Sequence, residues 1–140
     1  ADASAGELFA FGNSEQGNDL VLWDSTTLAE PVDAGYRFTG TKIFTSLAPA
    51  WTRLGIFGRN GEHLVHGFIT RETPGWRTIE DWDTLGMRGT TSHCFKLSAR
   101  VPAAQVFPKP FAEIAAQSML ASSHPFWASL WFGIAGSALS

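Results

Sequence analysis

The stretch GYRFTGTKIFTS, residues 35–46, carries the reading from which the fold follows. Tyr36, Phe38 and Ile43 alternate with polar neighbours, the two-residue period of a half-buried strand. Thr39 and Gly40 are turn chemistry, so the stretch reads as the tail of one strand, a tight reversal and the start of the next. Phe44, Thr45 and Ser46 then stand where a strand ends, and side chains two residues apart there share a face. A ring and a hydroxyl so placed suit a planar ligand, the ring stacking and the hydroxyl bonding a ring heteroatom. They suit equally a core residue and its rim.

The flanks repeat the strand signal. ELFAF (7–11) makes a short apolar strand running into GNSEQGND (12–19), whose glycines and small polar residues turn the chain and leave backbone N–H groups free. LVLWDSTTLAEPV (20–32) reads as a strand with an irregular end at Pro31. WTRLGIFGR and HLVHGFIT flank Asn60-Gly61, the strongest short hairpin signal in the chain. GWRTIEDWD (75–83) is a further strand, and LGMRGTTSHCFKLSARVPAAQVF (85–107) gives a loop, a strand and a Pro-marked exit. Strands at such regular spacing predict a mainly β, mostly antiparallel barrel or sandwich over 1–107.

From Pro108 the character changes. Residues 108–140 are rich in Ala, Leu and Ser and predict a helical segment. Pro125 and Phe126 open its second apolar stretch, with Ser122 or Ser123 as the cap. A helix apolar on so many sides has to be covered by something. The chain opens on Ala1 without an initiator Met and stops at Ser140 inside this pattern, so we expect a piece of a longer protein.

Composition narrows the function. Eleven Phe and six Trp are more rings than one 140-residue core holds, so some line a pocket or an interface. A net charge of −3 offers no basic patch for nucleic acid. The single Cys94 forbids an intrachain disulfide and fits a reducing, cytoplasmic setting. No apolar run reaches the roughly 18 residues of a membrane span. His63, His66, His93 and His124 lie apart and Cys94 lacks a CxxC partner, so no metal site is expected. There is no GxSxG elbow for a serine hydrolase, and Glu80, Asp81 and Asp83 around Trp82 read as a solvated face. The glycine loop reads either as a surface turn or as a cradle of N–H groups for an anion or a flavin edge.

Three stretches in order resemble the acyl-CoA dehydrogenase family, across its middle β-domain and the start of its C-terminal helices. FAFGNSEQGND is similar to the family's Thr-Glu-Pro-x-x-Gly-Ser-Asp loop, GYRFTGTKIFTS to its Gly-x-Lys-x-Trp-Ile-Ser/Thr hairpin, and LGMRGTTSHCFKLSARVP to its Leu-Gly-Met-Arg-Gly-Ser stretch and Val-Pro exit. The resemblance implies FAD as cofactor, an acyl-CoA as substrate, a separate electron-transfer acceptor, and a homodimer or homotetramer in the full-length protein. It implies α,β-dehydrogenation of the thioester with hydride transfer to flavin N5. A flavin-dependent monooxygenase or oxidase on the same fold, or a non-catalytic relative, is the alternative.

By the same resemblance Phe44 stands for the flavin-stacking Trp, and Ser46 for the hydroxyl that bonds the ring near N5. Phe9, Phe11, Gly12, Gly17 and Asn18 stand for the loop that contacts the flavin, with Asn18 and His124 towards the substrate. There are departures. The usual Thr is Gly12, the Glu-Pro is Asn13-Ser14, and Ala121–His124 replaces an Asp-x-x-Arg that holds the CoA ester. Ser122 stands where one branch of the family carries its catalytic Glu, so the general base is expected outside this chain.

Overall fold

The computed structural model describes residues 3–19 and 23–139. Seven strands form one sheet curled into a half-barrel: β1 (Phe9–Gly12), β2 (Leu28–Val32), β3 (Gly35–Thr45), β4 (Arg53–Asn60), β5 (His63–Thr70), β6 (Trp76–Glu80) and β7 (His93–Pro102). The order is β1-β4-β2-β3-β7-β6, with β5 pairing β4 along its other edge. The pairs β2–β3, β3–β7, β4–β5 and β6–β7 are antiparallel, while β1 and β2 both meet β4 in parallel. Helices α1 (Phe111–Ile114) and α2 (Leu120–Leu139) follow, joined by a π-helical stretch at Ala115–Met119.

The concave face is a dry core. Phe38, Leu54, Ile56, Ile69, Phe95, Leu97 and Val101 alternate inward from four strands, β3, β4, β5 and β7, and are buried. Trp51 closes one end, tilted against Trp76 and edge-on to Phe95 with ring centroids 5.0 and 6.3 Å away. Burying such side chains is worth roughly 1.5–3 kcal/mol each, and it is what orders the strand ends.

Four sequence expectations change. Residues 35–46 are not a hairpin: β3 runs unbroken through Gly40, which pairs with Leu97 of β7. Gly40 is required by close approach, because a Cβ there would lie 2.8 Å from Thr27 Cα and overlap its hydroxyl. The strand expected over 20–32 begins only at Leu28, since Ser25 and Thr27 are drawn off by hydrogen bonds to Glu15. Its first residues, 20–22, lie outside the described residues. The Asn60-Gly61 hairpin forms one residue later: Asn60 still pairs with His63, so Gly61, at φ +60°, and Glu62 make the turn. The helix does not start at Pro125. Pro125 sits inside α2, and Ser122 and Ser123 have helix on both sides, so they face no free N–H groups to cap. The missing Pro125 N–H costs one helical hydrogen bond rather than ending the helix.

No side chain of α2 is buried, and Phe126, Trp127, Trp131 and Phe132 are all exposed. Among the described residues, no helix is long and apolar enough to cross a membrane.

Candidate functional site

The ends of β1 and β3 and the segment before β7 come together. Lys42 pairs with Phe95 and Thr45 with His93, so two residues of β3, Ile43 and Phe44, stand opposite Cys94 alone. That bulge throws Phe44 outward, 57 % exposed, at φ +54°. Leu47, Met87 and Thr91 also have positive φ, at 60°, 57° and 46°. Thus four of the five non-glycine residues of this kind among the described residues lie at the end of β3 with the turn after it, or in the facing segment 87–91. Such backbone is costly, about 1–3 kcal/mol each, and persists where surrounding structure over-determines it.

Here the determination is visible. Leu47 N donates to Thr90 O at 2.9 Å and Ala48 N to Thr91 O at 3.2 Å, so each loop is the other's template. Trp82 packs edge-on to Phe44 at 5.9 Å while its Nε1 donates to Met87 O at 2.9 Å. Ser46 Oγ lies 2.8 Å from Ser92 Oγ, Ser92 Oγ lies 2.8 Å from Thr90 Oγ1, and Thr90 Oγ1 donates to Met87 O at 2.8 Å. Phe44 and Ser46 are thus both exposed at the end of β3, with buried Thr45 between them.

Beneath this surface lies a buried ion pair. The Glu15 carboxylate accepts from Lys42 Nζ (2.6 Å), Thr27 Oγ1 (2.6 Å), Ser25 Oγ (2.8 Å) and the N–H groups of Thr26 and Thr27. Burial raises its pKa, but the hydrogen bonds from Lys42 and Thr27 and the Lys42 charge outweigh that and hold it at about 2. Burial pushes the Lys42 ammonium below its ordinary range, against the pull of Glu15. Lys42 also donates to Phe57 O at 2.8 Å and sits 4.4 Å from the centre of the Phe57 ring. The glycine loop is thus folded around a carboxylate of its own.

The residues expected at the site divide. Gly12 approaches the residue between Phe44 and Ser46: a Cβ on Gly12 would lie 3.3 Å from Thr45 Oγ1, a buried hydroxyl without a partner. The hydroxyl missing at Gly12 has a counterpart across the gap on Thr45. Phe9 and Phe11 stack edge-on against Phe68, at 5.7 and 6.2 Å, with Phe11 exposed along one side. Gly17 lies exposed at the tip of the loop. Asn18 uses its side-chain amide within the loop, donating to Glu15 at 3.0 Å and to Asp24 O at 2.9 Å. His124 is exposed on α2. Glu80, Asp81 and Asp83 are exposed, Asp81 lying 3.4 Å from His93 and Asp83 3.5 Å from Arg88.

Sequence reasoning passed over Thr90, Ser92 and Trp82. The hydroxyl run Thr90-Thr91-Ser92, directly after the Arg-Gly of the third motif, was the signal available. The ring-and-hydroxyl pair is an open face. A cleft of about 410 Å³, lined by Tyr36, His63, Phe107 and Lys109 among others, contains none of these residues.

No family model matches the chain. It is 32 % identical over 73 residues to the amino sugar nitrososynthase DnmZ of Streptomyces peucetius, a match covering 49 % of this chain and 18 % of that protein. Among solved structures it is similar to KijD3 in complex with dTDP, at 26 % identity and a TM-score of 0.63, covering 74 % of this chain and 26 % of that one. KijD3 has also been solved with FMN and a dTDP-linked 3-amino-4-keto sugar. The chain is similar too to butyryl-CoA dehydrogenase from Megasphaera elsdenii, at 20 % identity and a TM-score of 0.67, covering 75 % and 29 %. It spans less than a third of the length of these relatives. The fold is that of the acyl-CoA dehydrogenase middle domain.

Proposed function

We propose that the exposed Phe44 ring and Ser46 hydroxyl are one wall of a flavin site in an oxidoreductase. The observation that carries the reading is their joint presentation at the β3 bulge, on strained backbone that two loops hold in place. A strained, exposed aromatic costs stability twice over, which a bound ring offsets. When bound, the flavin supplies two-electron chemistry at its N5 position. Phe44 would pack against such a ring and shield it from water, and Ser46 would offer its hydroxyl to the reacting nitrogen. Gly12 and Phe11 line the same wall, with Gly17 further along the loop. The resemblance favours FAD over FMN, and residues beyond 107 belong with the helices that close the cleft.

Two reactions fit such a wall, and we favour oxidation of an amino sugar carried on a nucleotide. The relatives with the higher identity are a nitrososynthase and a protein seen with a dTDP-amino sugar. The positions that would hold a CoA ester are changed. In that reaction an external reductant supplies electrons and molecular oxygen supplies the oxygen atom. The second reading is α,β-dehydrogenation of an acyl-CoA, carried by the fold shared with butyryl-CoA dehydrogenase.

The test is an anaerobic titration of the flavin-loaded, full-length protein. Bleaching by an acyl-CoA alone supports dehydrogenation and removes the favoured reading. Oxygen uptake that requires a reductant and is coupled to oxidation of a nucleotide-linked amino sugar supports it. Failure to hold any flavin overturns both.

A further inference from the structure

Each hydroxyl carries one hydrogen, and that count fixes how Ser46, Ser92 and Thr90 must behave together. Thr90 Oγ1 can bond Met87 O only as donor, because a carbonyl cannot donate. Its hydrogen is then used, so Ser92 donates to Thr90 across their 2.8 Å contact, and Ser46 donates to Ser92 across theirs. In this arrangement the Ser46 hydrogen points into the protein and its free lone pair faces outward. Ser46 then receives a hydrogen bond from a ligand and gives none.

The same oxygen positions allow the reverse. If Thr90 donates to Ser92 and Ser92 to Ser46, the Ser46 hydrogen faces outward. Reversal leaves Met87 O satisfied, because it also accepts from Thr90 N at 3.1 Å and from Trp82 Nε1 at 2.9 Å. No buried acceptor is orphaned in either direction, so the usual penalty on an unmade buried hydrogen bond is absent. Only rotations about C–O bonds are involved, and no proton changes its oxygen.

We propose that Ser46, Ser92 and Thr90 form a reversible hydroxyl chain, with Ser92 and Thr90 as positioning residues that let Ser46 match a ring nitrogen in both of its oxidation states. The proposal rests on the flavin reading above. Flavin N5 accepts a hydrogen bond when oxidised and donates one when reduced. With the chain intact, Ser46 gives to the first and receives from the second. Neighbouring hydroxyls polarise one another in the same sense each time.

Removing the far end of the chain locks it. In Thr90→Val, Ser92 has no acceptor except Ser46, so Ser46 is held as a donor. That suits the oxidised ring and opposes the reduced one. The oxidised-to-reduced ratio at a fixed potential should rise about tenfold, which lowers the two-electron midpoint by roughly 30 mV. Val keeps the Thr methyl and loses the hydroxyl, whereas Ser does the opposite. Ser92→Ala also deprives Ser46 of its inward acceptor, so it should lower the potential in the same sense.

The experiment is spectroelectrochemical titration of the flavin-loaded, full-length protein and these three variants, with bound flavin quantified by absorbance first. A drop in Thr90→Val and Ser92→Ala, with Thr90→Ser at the parent value, supports the chain. Parent-like potentials in all three variants overturn it, as does a drop in Thr90→Ser equal to that in Thr90→Val, which would assign the effect to packing. If Thr90→Val fails to hold flavin, Ser92→Ala alone decides by the same criterion. A parent protein that binds no flavin overturns the flavin reading itself and the chain's role with it, and that result is distinct from bound flavin with unmoved potentials.

Discussion

Glu15 and Lys42 meet at 2.6 Å, fully buried, and their contact joins the loop after β1 to β3, the strand that carries Phe44. Removing one partner leaves the other charged in a dry interior, which typically costs 3–5 kcal/mol. Glu15→Gln should therefore lower stability by about that amount in chemical unfolding. The double variant Glu15→Gln with Lys42→Met should recover a large part of it. A single variant as stable as the parent would show that the pair is dispensable.

The acid side of the stability curve follows from the same pair. The folded-state pKa of Glu15, about 2, lies below its ordinary value of 4.5. Its contribution is therefore complete above pH 4.5 and drains away as pH falls through about 2. Unfolding midpoints measured between pH 5 and 2 should fall less steeply in Glu15→Gln than in the parent. Parallel curves would refute this.

His66 acts at higher pH. It is 2 % exposed, neither ring nitrogen has a hydrogen-bond partner, and the rings of Phe68, Phe107 and Phe111 stand 5.2–5.3 Å from it. Burial first, and the nearby Lys42 charge second, lower its pKa from 6.5 to about 4. The folded state resists the proton that the unfolded chain takes up. Stability is thus full above pH 6.5 and declines by on the order of 3 kcal/mol as pH falls to about 4. His66→Phe suits the aromatic surroundings and should flatten this segment of the profile while leaving the acid limb of Glu15 in place.

Gly40→Ala tests the unbroken strand. A Cβ there presses on Thr27, so overpacking should cost about 1–3 kcal/mol in thermal unfolding. A turn at this position would accept Ala with a smaller loss, and pairing it with Thr27→Ser should not rescue it.

Ser46→Ala in the full-length protein should weaken flavin binding by about 1 kcal/mol. Loss of the donor at the reacting nitrogen should slow flavin reduction more, roughly tenfold to a thousandfold. Stopped-flow reduction beside a flavin-binding titration separates the two. A variant that binds poorly but reduces normally once saturated would reverse the assignment.

What could be read in advance was whatever is local. Alternation in Tyr36 and Phe38 and the hairpin near Gly61 depend on neighbours a few residues away, and they stand as read, the hairpin one residue later. Gly40 misled because turn chemistry and close packing ask for the same residue, and only Thr27 decides between them. Glu15 looked like one more polar loop residue, since its partner lies 27 positions away. The Ser46–Ser92 contact spans 46 positions and no local pattern announces it. Pro125 misleads because its usual place is a first turn, whereas the helix is already under way at Leu120.

The left-handed backbone at Phe44, Leu47, Met87 and Thr91 has a bearing on protein engineering. Gly or Asn relieves such a conformation, by about 1 kcal/mol or more per position. A library ranked by heat resistance alone would therefore enrich Gly and Asn at these four sites. At position 44 the most thermostable clone would have lost the ring, so selection for robustness and selection for turnover would pull this surface in opposite directions.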